Sequence, residues 1–113
     1  MDRIVDKITA LGVPGLVLLV AMAATGWAGA AAITTALAAL GGPFGMLGGI
    51  AVLIVLALFS RGLTQYGFEV LFKATIRKLR EKGMSNEEIK EKVKAYRISK
   101  DLKIKILHYI DIL

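Results

Sequence analysis

The chain has 113 residues, of which 56% are hydrophobic and only 21% charged, with a formal net charge of +6 and no cysteine. From Ile8 to Ser60 there is no charged residue, a run of 53. Water-soluble domains carry charge on their outer faces, and about 20 apolar residues are enough to cross a bilayer, so this composition argues against a soluble globular enzyme and for an all-α membrane protein. Without cysteine there is neither a disulfide framework nor a thiolate zinc site.

Residues 1–12 form the first region. Met1 to Leu11 reads as a short amphipathic helix, with Ile4, Val5, Ile8 and Leu11 on one face and Asp2, Arg3, Asp6 and Lys7 on the rest. Such a helix suits a membrane surface or the neck of a bundle.

Residues 13–60 read as a transmembrane helical hairpin. Gly41-Gly42-Pro43 is strong punctuation and places a turn at 41–45. Pro14 fits the first turn of a helix, where its missing N–H costs nothing. A helix from Pro14 to Leu40 is up to about 40 Å long, and one from Phe44 to Ser60 about 26 Å, against a hydrocarbon core of about 30 Å. Arg61 extends the second span by snorkelling. A hairpin puts both termini on one side, and the basic C-terminal half assigns that side to the cytoplasm of an inner or plasma membrane. Cleavage by a signal peptidase after Ala30 is disfavoured, because the N-terminal flank is neutral and the apolar stretch is too long.

The first span is unusually slim. Fifteen of the 19 residues from Ala21 to Ala39 are Ala, Gly or Thr. Small residues let helices approach closely in lipid, where van der Waals packing drives association. Gly26 and Ala30 stand four apart, and Gly41, Gly45 and Gly49 repeat that spacing as a glycine zipper. These five are the candidate helix-packing or oligomer interface, and they favour a homo-oligomer. Thr25, Thr34 and Thr35 are the candidate polar residues of a pore or packing seam. Trp27, mid-span, reads as a packing wedge. No ionisable residue falls within the spans, which argues against a proton pump, a coupled transporter or a charge filter.

Residues 61–113 hold 13 basic and 7 acidic side chains, the whole net charge of the chain. Gly62 to Lys82 is amphipathic, with Phe68, Leu71, Phe72, Ile76 and Leu79 on one side. It has two readings: a basic membrane-surface helix continuing from the second span with a bend at Gly62 or Gly67, or the first helix of a small helical domain. Arg61, Lys73, Arg77, Lys78, Arg80 and Lys82 are the candidate contacts to anionic headgroups or an acidic partner. Gly83 ends this helix, and Ser85-Asn86-Glu87-Glu88 is a capping box for the next one, which runs to Tyr96 with Ile89 and Val93 inward. Ser99 caps a last helix to Ile112, with Leu102, Ile106, Leu107 and Ile110 as its apolar members. Nucleic-acid binding is disfavoured, since glutamates dilute the lysines and Tyr96 and Tyr109 are too few for a stacking platform.

No catalytic residue, cofactor site or metal site is expected. The glycines at 45–49 lack the Lys-Ser/Thr pair of a phosphate loop, His108 has no second histidine, and Ser85 reads as a cap. The first functional expectation is a small, weakly selective pore-forming or membrane-permeabilising homo-oligomer. By analogy of architecture this is the class of bacterial toxins, holin-like lysis proteins and defence effectors. The alternative is a membrane-anchored structural or adaptor subunit whose hairpin packs within a larger complex and whose basic helical tail binds a protein partner.

Overall fold

A computed structural model describes residues 2–25, 49–96, 98 and 100–113. Among the described residues the chain is all-α, with six helices and no strand: α1 (Asp2–Ala10), α2 (Val13–Thr25), α3 (Gly49–Tyr66), α4 (Phe68–Glu81), α5 (Asn86–Ala95) and α6 (Lys100–Ile112).

The helix ends follow from local chemistry. Gly12 adopts φ 73°, a left-handed conformation that side chains resist, so the chain turns there. Its N–H donates to the Thr9 carbonyl at 2.8 Å, and its own carbonyl accepts from Gly15 at 3.0 Å, so one residue closes α1 and opens α2. The two axes meet at 115°. Gly67 (φ 84°) separates α3 from α4 in the same way: its N–H donates to Leu63 and its carbonyl accepts from Leu71. The bend anticipated at Gly62 or Gly67 thus lies at Gly67. Gly83 (φ 95°) ends α4 in a Schellman motif, with Met84 N–H donating to Leu79 O at 3.1 Å and Gly83 N–H to Arg80 O at 2.9 Å. Ser85 then caps α5, its Oγ accepting from Glu88 N–H at 3.2 Å.

Around these ends the helices pack on one axis. α2 has no polar side chain from Val13 to Met22, and its large side chains there are all buried. A helix apolar on every side needs cover on every side. α2 obtains it by touching each of the other five described helices. α1 offers Ile4, Val5 and Ile8; α3 offers Phe59 and Leu63; α4 offers Leu71, Phe72, Ile76 and Leu79; α5 offers Ile89 and Val93; α6 offers Ile106 and Ile110. The apolar stripe of α4 is therefore buried inside the protein. Gly62 to Tyr66 belongs to α3, and α4 leaves outside its charged residues together with Val70.

Two glycines permit the closest approaches. A Cβ on Gly15 would lie 2.3 Å from the Ile8 carbonyl oxygen, so α2 rests directly on the end of the α1 backbone. A Cβ on Gly62 would lie 2.9 Å from Ile4 Cγ2 and 3.0 Å from Leu71 Cδ1, where α1 and α4 converge on α3. The buried Thr75 hydroxyl donates to Leu71 O at 2.8 Å, which settles its one polar group within α4.

Two substitutions test this core. Gly15→Ala sets a methyl group against backbone and should lower stability by about 1–3 kcal/mol. Leu18→Ala, which empties a fully buried position, should cost about 2–5 kcal/mol. Thermal or denaturant unfolding followed by circular dichroism in mild detergent measures both, and unchanged midpoints would contradict a core centred on α2.

Candidate functional site

The outer surface is where the described helices differ from one another. α3 bears Leu53 and Ile54, 65% and 64% exposed, close after the uncharged residues 26–48. Adjacent in sequence, they are the most exposed of the large apolar side chains among the described residues. Val70, Ile104 and Ile112 are also exposed, but singly and among charges, as is ordinary for a protein surface.

Of the expected cationic contacts, Arg61 stands on the outside of α3, and Lys73, Arg77 and Arg80 stand on the outside of α4 at helical spacing. Lys82 is exposed at the C-cap of α4. Two of the set also have local work. Arg80 Nε donates to Asn86 Oδ1 at 2.9 Å, bracing the α4–α5 turn. Lys78, half-buried, pairs with Asp6 at 3.5 Å and ties α4 to α1. Both partners of that pair are open to water, so it adds little stability. Glu69 and Glu81 share the outer side of α4 with Lys73, Arg77 and Arg80, which dilutes its positive field.

The expected interface residues Gly26, Ala30, Gly41 and Gly45, and the expected polar residues Thr34 and Thr35, lie outside the described residues. Thr25 is the last residue of α2 and Gly49 the first of α3. Ser99, expected to cap the last helix, is also outside them. Among the described residues no single helix is long and apolar enough to cross a membrane, and no group of His, Asp and Glu is placed to hold a metal ion. His108 is exposed on α6, and the Ser85 hydroxyl is engaged in its cap.

The last two helices are clamped by charge. Lys90 on α5 pairs with Asp111 on α6, and Lys103 Nζ donates to the Lys94 carbonyl at the end of α5, 2.9 Å away. That carbonyl is one of the unpaired groups at a helix C-terminus, where a cation is favoured. Below the clamp, Phe68, Phe72 and Tyr109 pack as an aromatic trio with centroids 4.9–5.9 Å apart. Pairs at this spacing add to simple burial. Neither Gly15 nor the Lys90–Asp111 pair was anticipated. A glycine within Gly-Val-Pro-Gly reads simply as turn chemistry, and a pair 21 positions apart leaves no local signal.

No protein-family model matches the chain, and no curated protein or solved structure matches it.

The clamp predicts an alkaline instability. The hydrogen bond to Asp111 raises the Lys90 ammonium above its ordinary pKa of 10.5, partial desolvation opposing it and the Asp111 charge assisting. Burial raises the Tyr96 phenol above its ordinary 10.0. In the unfolded chain both groups release their protons at lower pH than in the folded chain. Their contributions are intact below those ordinary values and fade as pH rises through the folded ones. The denaturation midpoint should fall as pH rises past the ordinary values of 10.0 and 10.5, and fall less in Asp111→Asn, which removes the Lys90 share. Parallel pH profiles for the two proteins would contradict the clamp.

Proposed function

We propose that the chain is a small membrane-anchored assembly subunit. A basic helical base, built from the two ends of the described chain, stays in the cytoplasm of an inner or plasma membrane and carries an apolar hairpin into the bilayer, with both termini on the cytoplasmic side. The observation that carries this reading is the pair Leu53 and Ile54, open on α3 where it adjoins 23 uncharged residues, 26–48. Water is a poor solvent for such a surface, and a hydrocarbon core suits it. The base supports the same division. α2 has its apolar residues covered by five helices up to Met22, whereas Leu53 and Ile54 of the same uncharged run stand uncovered. The charge-rich tail binds anionic headgroups or a protein partner.

A second reading rests on the small residues between Ala21 and Ala39 and on the spacing of Gly41, Gly45 and Gly49. A helix this slim suits close packing against copies of itself, and a ring of such hairpins is a weakly selective pore. The two readings share the hairpin and part on permeability.

The sole tryptophan, Trp27, is a built-in reporter. Full-length protein added to vesicles of phosphatidylcholine with phosphatidylglycerol should float with them, and its emission should be quenched by brominated acyl chains and not by iodide. Retention of an encapsulated dye supports the anchored subunit, and release supports the pore. Protein that stays at the bottom of the gradient, with Trp27 open to iodide, overturns both.

A further inference from the structure

The outer face of α3 carries a sharper statement than its two exposed apolar residues alone. From Leu53 to Tyr66, its exposed side chains are, in order, Leu53, Ile54, Ala57, Arg61, Thr64 and Gln65. Their spacing is that of one stripe along a helix of 3.6 residues per turn. The chemistry of the stripe changes once. The first three members are apolar and the last three are polar or charged.

A surface helix in water is amphipathic around its axis, with an outer stripe that is polar from end to end. The outer stripe of α3 is amphipathic along its axis instead. The inner side does not share the change in chemistry: the half-buried Val55 and Leu56 before the switch, Phe59 within it, and Leu63 after it are all apolar, and Phe59, Gly62 and Leu63 are buried against protein. The switch is thus confined to the side that meets the surroundings, and it reports a change in those surroundings along the helix. A bilayer boundary supplies such a change, from hydrocarbon to headgroups to water.

Charge points the same way. Arg61 is the first charged residue after the 53 uncharged ones, and the charges from Arg61 onward sum to +6. A guanidinium on a long apolar stem keeps its head at the interface and grips phosphate oxygens through two N–H groups. At 1.5 Å per residue Ala57 lies about 6 Å, and Leu53 about 12 Å, along the axis from Arg61. Both depths fall within the near leaflet of a core about 30 Å thick.

We infer that α3 crosses the membrane–water boundary between Ala57 and Arg61, and that Arg61 is the residue that holds phospholipid headgroup phosphates and fixes how deep the chain sits. The inference rests on the membrane reading proposed above and adds the level of the boundary and the residue that sets it.

The chain has no cysteine, so single reporters need no background removal. Cysteine is placed in turn at Leu53, Ile54, Ala57, Thr64 and Gln65 of the full chain, with Arg61 kept, labelled with a nitroxide, and studied in phosphatidylcholine–phosphatidylglycerol vesicles. Dissolved oxygen and a water-soluble nickel chelate serve as relaxation agents. Positions 53, 54 and 57 should favour oxygen and positions 64 and 65 the chelate, with a single crossover whose interpolated level falls between 57 and 61. Arg61→Leu, on an exposed site, should slide the crossover outward past position 61 and lower chelate access at Thr64→Cys, while Arg61→Lys should leave it in place. Protein that floats with the vesicles but shows one environment along the stripe, or an unmoved crossover in Arg61→Leu, overturns this inference and leaves the membrane reading standing. Five positions shielded from both agents indicate a protein neighbour on the stripe and also overturn it. Protein that does not float, with all five positions open to the chelate, overturns the membrane reading as well.

Discussion

Ten successive residues of α2, Val13 to Met22, offer the protein no polar side chain and therefore no side to turn toward water. The rest of the described structure answers that constraint. Each of the other five helices has one apolar stripe, too narrow to make a core alone, and each lays it toward the same axis. The glycines serve the arrangement at its tightest points. Gly12 folds α1 back at 115°, Gly15 lets the α2 backbone meet the end of α1, and Gly62 lets Ile4 and Leu71 close over α3. Polar work is kept to the rim, where Lys90, Lys103 and Ser85 secure helix ends and helix pairs.

Much of this was legible residue by residue. The stripe of α1, the Gly83 stop, the Ser85 cap and the inward Ile89 and Val93 rest on spacing and local hydrogen bonding, and those belong to short stretches of chain. What a stripe packs against is a different matter. Leu71, Phe72, Ile76 and Leu79 would look the same facing lipid or facing α2, because periodicity records that a face is apolar and not what covers it. The uncharged run has the same ambiguity. A helix buried all round by protein and a helix surrounded by hydrocarbon have one composition, and their neighbours alone distinguish them. The first part of that run is covered by protein; its small-residue centre, with Gly26, Ala30, Thr34, Thr35, Gly41 and Gly45, lies outside the described residues.

The outer stripe of α3 and the core of α2 complement one another. Where the run is covered by neighbouring helices, its side chains are large: Leu16, Leu18, Leu19 and Met22. Where α3 turns outward, Leu53 and Ile54 are equally large but uncovered, and cover begins again below them with Phe59 and Leu63. One helix thus works in two settings, and Gly67 ends it on the side where charged residues begin to alternate with apolar ones.

The position of α2 in the chain has a consequence in time. Its cover comes from α1, already made, and from α3 to α6, whose residues lie some 30 to 90 positions downstream. At about 5–20 residues per second of synthesis, α2 waits on the order of ten seconds before its last neighbours exist. Through that interval the most apolar helix of the base is a nascent segment with most of its sides bare. Whatever receives apolar nascent chain in the cell meets it before the base can close. The order of translation therefore requires that α2 be sheltered first and that the charged tail be folded over it afterwards.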